Sequence, residues 1–160
     1  MPTPDISSVL LHEAPALESS RENASVIWIQ PYGNLVYTDI LGPHFSEGDR
    51  IIANRRAIAF INLAKESGAE IAIAPEYFTP IETLKTLFED SSHLRVGTLY
   101  ILPLECTTLT NYEKLKVLAL DHGVDLHSTT LEPPDGKTFV NPCAIVFKSQ
   151  DRLKVFQRRI

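Results

Sequence analysis

The feature that most constrains the fold is a short apolar run that ends in proline and glutamate. Residues Ile71 to Ala74 contain no polar side chain, and Pro75 and Glu76 follow directly. Such a run is typical of a parallel strand that is buried on both faces. Ligands of open α/β sheets bind just beyond the carboxyl ends of the strands. Glu76 is therefore placed for chemistry or, more simply, is a solvated residue that caps the following short helix.

The composition indicates one globular domain. Of 160 residues, 44% are hydrophobic, and the formal net charge of -5 argues against a nucleic-acid-binding surface, which would be basic. No run approaches the roughly 18 apolar residues of a membrane span, and the N-terminus does not have the pattern of a secretory leader. Cys106 and Cys143 have neither zinc nor disulfide spacing. We therefore expect a cytoplasmic protein with no metal, no cofactor and no membrane partner.

Patterning along the chain predicts a peripheral or flexible lead-in over residues 1–22 and a single domain over residues 23–160. Residues 32–43 are expected to form an irregular connection. Strands are predicted at 26–31, 71–74, 94–104 and 124–130, helices at 46–67, 81–89 and 110–120, and a final hairpin at 139–148 and 153–158. This alternation implies a layered α/β sheet with right-handed crossovers. Because the chain stops on a strand, we expect it to be part of a larger fold.

The first helix has the clearest local signals. Ser46 and Asp49 have the spacing of a capping box, and Gly68 follows the last helical residue as a stop. The apolar residues that recur at helical spacing, and that should face the core, are Ala53, Ala57, Phe60, Ile61 and Ala64.

The order of several features resembles the nitrilase, or carbon–nitrogen hydrolase, superfamily. The resemblance spans residues 25–159 and covers about the first half of the family's domain. The features that carry it are Gln30 at the end of the first strand, Asn54 in the first helix, Ser67-Gly68-Ala69-Glu70 before the second strand, Ala74-Pro75-Glu76 at its end, and the hairpin-like segment from Asn141 to Arg159.

The resemblance implies a partial α-β-β-α sandwich, with a mixed sheet and helices on one face. It also implies a Glu-Lys-Cys site that hydrolyses amide or nitrile C–N bonds through a thioester. Glu76 matches the general base, which takes the proton from the thiol. Arg159 stands near the family's lysine position, although an arginine cannot cycle as a proton donor. Tyr77 and His44 are the candidates for substrate contact.

The two cysteines are not expected to supply the missing nucleophile. Cys143 lies inside a strand, where a small buried hydrophobe is the ordinary role. Cys106 follows Glu105, whose charge would raise the pKa of the thiol. His122 and His127 are expected to pack rather than to ligate a metal. The chain alone is therefore expected to be inactive.

Three hypotheses stay open. The first is a nitrilase-like domain that needs a second segment to act on a small amide or nitrile, and that self-associates as the family tends to do. The second is a non-catalytic interaction module whose unpaired sheet edge and apolar face dock on another chain. Residues 99–106 resemble nitrilase-like regions attached to some bacterial reverse transcriptases, which would make it an accessory or defence domain. The third is an unrelated doubly wound domain with a small-molecule site near Glu76. The first requires a buried Glu76 that faces a pocket, whereas an exposed Glu76 favours the third.

Overall fold

A computed structural model describes residues 23–30, 35–128, 133, 136–150 and 152–159. The expected lead-in over residues 1–22 lies outside this range. The described strands are β1 (Val26–Trp28), β2 (Val36–Thr38), β3 (Gly42–His44), β4 (Ile71–Ile73), β5 (Leu99–Pro103), β6 (Thr107–Thr108), β7 (Asp125–Ser128), β8 (Phe139–Val140), β9 (Pro142–Lys148) and β10 (Leu153–Arg159). The described helices are α1 (Glu47–Ser67), α2 (Ile81–Glu89) and α3 (Leu109–Asp121).

Six strands form one mixed sheet in the order β1-β4-β5-β9-β10-β7. β9 is antiparallel to both of its neighbours, and the other pairs are parallel. Five strands therefore end at one side of the sheet, which we call the carboxyl edge. The predicted alternation of strands and helices and the closing hairpin are confirmed, and the chain is a mixed α/β domain with a mostly parallel sheet.

One core joins the three helices to one face of the sheet. The predicted inward residues of α1 are all buried, and all but Ala53 pack in the same cluster as Leu84 and Leu87 of α2 and Leu115 of α3. The sheet contributes buried residues that share a face by register, among them Ala72 and Tyr100. Apolar burial of this kind contributes roughly 25 cal/mol for each Å² removed from water.

The opposite face of the sheet is only partly covered. Trp28 of β1 pairs with Ile73 of β4, and Ile73 pairs with Ile101 of β5, so these side chains share that face. Trp28 is 68% exposed and Ile73 is 37% exposed. The prediction that β4 is buried on both faces is therefore wrong, because the described helices cover one face alone. β1 is likewise an exposed edge strand and not the buried strand that its apolar sequence indicates.

The local signals of α1 act as predicted. Ser46 Oγ accepts a hydrogen bond from the Asp49 backbone N–H at 3.2 Å, and Gly68 ends the helix with a φ of 70°. In the described part of the chain, no helix is both long and apolar enough to cross a bilayer, although α1 has 21 residues.

The structure differs from the prediction in one connection and in one strand. Residues 36–44 form an antiparallel hairpin of β2 and β3 instead of an irregular connection. The predicted strand over residues 94–104 is shorter, because Gly97 has a φ of 82° and the backbone turns before Leu99. Pro103 ends β5 as expected, since proline cannot donate to a sheet ladder.

Candidate functional site

Glu76 lies at the carboxyl edge, in the turn between β4 and α2, and its side chain is exposed. Asn141 Nδ2 donates a long hydrogen bond of 3.4 Å to Glu76 Oε1. A buried Glu76 facing a pocket is the requirement of the hydrolase hypothesis, and the described residues do not provide that burial. The turn is where the sequence predicts it, but its carboxylate faces solvent.

Tyr77 is held in an unusual conformation beside Glu76. Among the described residues, it alone is a non-glycine residue with positive φ, at 58°. Burial, a hydrogen bond with Glu76 and the charge of that carboxylate together raise the pKa of Tyr77 to about 12, with burial as the largest cause. Strained backbone of this kind is concentrated at functional sites in proteins. Glu76 and Tyr77 therefore form a coupled pair at the edge.

The hairpin brings a second predicted site residue to the same edge. Asn141, which contacts Glu76, is followed by Pro142, and Pro142 pairs with Arg159 in the ladder between β9 and β10. The backbone of Arg159 therefore lies at the edge where Glu76 lies.

A buried carboxylate at this edge belongs to Glu105, which was predicted only to affect its neighbour Cys106. Glu105 is 2% exposed and follows β5 as Glu76 follows β4. It accepts hydrogen bonds from the Phe45 N–H at 3.0 Å, the Ile81 N–H at 3.3 Å and Arg50 Nη2 at 3.3 Å. Its signal in the sequence is a lone acidic residue inside an apolar segment just after a strand-ending proline.

A cleft of about 300 Å³ opens beside Glu105. His44 lines this cleft, whereas Glu76 and Tyr77 do not. The His44 ring is buried, and its Nδ1 lies 2.7 Å from the Gly42 carbonyl oxygen. Because a carbonyl only accepts, Nδ1–H is the donor. The predicted substrate-contact residues are thus divided: His44 faces the cleft, and Tyr77 stays with Glu76.

Neither cysteine is an activated thiol. Cys106 borders the cleft but is only 4% exposed, and burial, with the charges of Glu105 and Glu76, raises its pKa to about 11. Burial alone raises the pKa of Cys143, in β9, to about 11. The direction predicted for Cys106 is confirmed, with burial as the larger cause.

Of the remaining histidines, His127 packs against a neighbouring ring, whereas His122 is exposed. His127 stacks on Phe156 with ring centroids 4.8 Å apart, and its Nε2 lies 3.2 Å from Asp125. His122 ends α3. Within the described ranges, no three His, Cys, Asp or Glu side chains are grouped so that they could hold a metal ion.

Comparisons with known proteins do not assign a family. No protein-family model matches the chain, and neither curated proteins nor solved structures show a significant similarity to it.

Proposed function

We propose that this chain is a nitrilase-like domain that contributes Glu76 to the hydrolysis of an amide or nitrile C–N bond. One observation supports the proposal: Glu76 and the backbone at the end of β10 lie at the same edge of the sheet. Asn141 links them, because it donates to Glu76 and precedes Pro142, the ladder partner of Arg159. A general base and a cation that stabilises an oxyanion must both reach one substrate carbon, so the reaction requires them to lie at the same edge.

The nucleophile of this reaction is not one of the chain's own cysteines. With a pKa of about 11 for Cys106 and for Cys143, roughly one thiol in ten thousand is ionised at neutral pH. A thioester mechanism needs the thiolate. The thiol must therefore come from another polypeptide segment or another chain.

The exposure of Glu76, which by itself favours an unrelated doubly wound domain, sets a second requirement for the hydrolase role. A carboxylate in water is a weak base toward a thiol, whose ordinary pKa is about four units higher. Burial raises the pKa of a carboxylate and improves the match. The group that brings the thiol must therefore also cover Glu76 and exclude water from the edge. The partly covered sheet face with Trp28 and Ile73 is the surface on which a second sheet would lie in a four-layer sandwich.

Ammonia release from a panel of small amides and nitriles tests the proposal in two forms of the protein. The purified 160-residue chain should release none, because its thiols are not ionised. The polypeptide purified from its native source with its native partners should be active, and Glu76→Gln should lower its turnover by at least about a hundredfold. Glu89→Gln, an exposed carboxylate at the end of α2, is the matched control and should leave turnover unchanged. No release from the native form, or equal release in Glu76→Gln, refutes the hydrolase role.

A second candidate is a non-catalytic interaction module, and the exposure of Trp28 favours it. Trp28 is the single tryptophan of the chain and is 68% exposed next to Ile73. Large exposed apolar side chains in a contiguous patch mark interaction surfaces. If the domain docks through this face, its native partners should shift the fluorescence of Trp28 to the blue and protect it from acrylamide quenching. Unchanged fluorescence in the native complex rejects docking at this face.

A further inference from the structure

We propose that the cleft beside Glu105 binds the phosphate or carboxylate group of a small molecule. The cleft lies between the end of β3 and the beginnings of all three helices, and its polar lining includes His44, Arg50, Lys85, Glu105, Asn111 and Lys114. Its volume of about 300 Å³ lies at the lower end of the range for small-molecule sites. This binding role does not depend on C–N hydrolysis, since Glu76 lies outside the cleft.

The helix beginnings make the cleft electropositive. Arg50 belongs to α1, Lys85 to α2, and Asn111 and Lys114 to α3, each within the first six residues of its helix. The helices have 21, 9 and 13 residues. A helix carries a partial positive charge at its N-terminus. At these helix beginnings the N–H groups of Asp49, Ile81 and Asn111 already donate to Ser46, Glu105 and Thr108, so it is this partial charge that favours an anion. Three such ends around one cavity add their fields.

Each of the two acidic residues of the cleft, Glu82 and Glu105, lies within ion-pair distance of a cation. The Glu105 carboxylate is occupied by two backbone N–H groups and by Arg50 Nη2. Glu82 lies 3.7 Å from Arg50 Nε and 3.7 Å from Lys85 Nζ. Two cations thus balance two carboxylates.

Lys114 is the cation left over. Among the described residues, it forms no hydrogen bond and no ion pair, and its side chain is exposed at the mouth of the cleft. The formal charge of the lining is then +1 with His44 neutral, from three cations and two carboxylates. The amide of Asn111, three residues before Lys114 on the same helix face, adds a neutral donor. An oxyanion in the cleft would pair Lys114 and accept from Asn111, whereas an uncharged ligand would leave the ammonium group unpaired.

Titration with two simple probes, at constant ionic strength, tests this site. Inorganic phosphate and succinate are added separately to the purified chain, and the backbone amide resonances are followed by NMR. At least one probe should give saturable shifts at roughly millimolar concentration, centred on the residues of the cleft. The probe that binds more tightly tells whether the natural ligand presents a phosphate or a carboxylate.

Three variants make the test specific. Lys114→Gln should weaken binding by about tenfold, the loss expected for one charge-assisted hydrogen bond. Lys114→Glu should weaken it further. Arg55→Gln, which removes a cation from an exposed position of α1 outside the cleft, should keep the affinity within about twofold. Thermal melting verifies that each variant is folded.

Three results would overturn the proposal that the cleft binds an anion. No saturable shifts with either probe, or equal affinity in wild type and Lys114→Glu, overturn the proposal. Shifts that are confined to residues outside the cleft overturn it as well. The readout is binding and not turnover, so a failure of ammonia release would refute the hydrolase role and leave this site standing.

Discussion

Arg50 Nη2 donates to Glu105 Oε2 at 3.3 Å, and this ion pair connects the first turn of α1 to the loop that follows β5. The same carboxylate also holds the beginning of α2 through the Ile81 N–H. A buried carboxylate with three donors is costly to alter, because each donor loses its partner.

Glu105→Gln should therefore lower the free energy of unfolding by about 2 kcal/mol, since the amide cannot neutralise Arg50. Urea denaturation measures this change. Glu113→Gln is the control, because Glu113 pairs with Lys116 at 2.8 Å at an exposed position, and its loss should cost less than about 0.5 kcal/mol. Equal midpoints for the two variants would mean that the Glu105 contacts add no net stability.

Two glycines should respond to alanine with opposite signs. A Cβ at Gly42 would lie 2.7 Å from Phe139 Cε2, and the residue has a φ of +65°, so Gly42→Ala should destabilise the fold by about 2 kcal/mol. Gly48 lies in α1 with open space around it, so Gly48→Ala should stabilise the fold by about 0.5 to 1 kcal/mol. Thermal melting distinguishes the two. A loss of stability in both variants would contradict the conclusion that a Cβ at Gly48 meets no neighbouring atom.

The thiols should react slowly in the folded protein. A pKa of about 11 for Cys106 and Cys143, against an ordinary value of 9.0, leaves about a hundredfold less thiolate near pH 8. Reaction with a chromogenic disulfide reagent should therefore be about a hundredfold slower than in the urea-unfolded chain. The single variants Cys106→Ser and Cys143→Ser show which phase of the reaction comes from which cysteine. Reaction of either cysteine at the unfolded rate would show that its thiol is not shielded.

Stability should fall as the pH rises above 9. The folded protein keeps the Cys106 proton up to a pKa of about 11, whereas the unfolded chain loses it near 9.0, so the folded state binds more protons in this window. The stabilisation is complete below pH 9 and is lost as the pH approaches 11. Cys106→Ala should make this decline shallower, as measured by urea unfolding at several alkaline pH values. An unchanged slope would show that Cys106 does not cause it.

Glu76 should control the ionisation of Tyr77. Because the hydrogen bond and charge of Glu76 add to burial in raising the pKa of Tyr77 to about 12, Glu76→Gln should lower that pKa but leave it above 10.0. NMR titration of the tyrosine ring follows this group by itself. A pKa that does not move would mean that burial is the sole cause and that the pair is not coupled.

Much of the secondary structure could be predicted from local signals in the sequence. The boundaries of α1 depend on Ser46 and Gly68, which act within a few residues of themselves, and both behave as their sequence positions indicate. α2 begins and ends at the predicted residues, Ile81 and Glu89, because its apolar face and its acidic end are also local. Such signals are readable in a sequence without knowledge of the neighbours of the segment in space.

The cleft and the surroundings of Glu76 depend on distant contacts. The donors to Glu105 from Phe45, Arg50 and Ile81 lie 60, 55 and 24 residues away along the chain, so no local pattern joins them. The exposure of Glu76 likewise depends on what lies over the carboxyl edge. The apolar run of β4 indicates a strand, but the burial of its second face is decided by other parts of the molecule.

The antiparallel β9 in a mostly parallel sheet also has a consequence for how the chain folds. β9 and β10 are neighbours along the chain and pair over seven residues each, whereas β1, β4 and β5 need a helix between each pair. Closing a short loop costs less entropy than closing a long crossover. We therefore expect the sheet to begin folding at the hairpin. The hairpin then serves as a template, and β5 and β7 pair with its two outer sides.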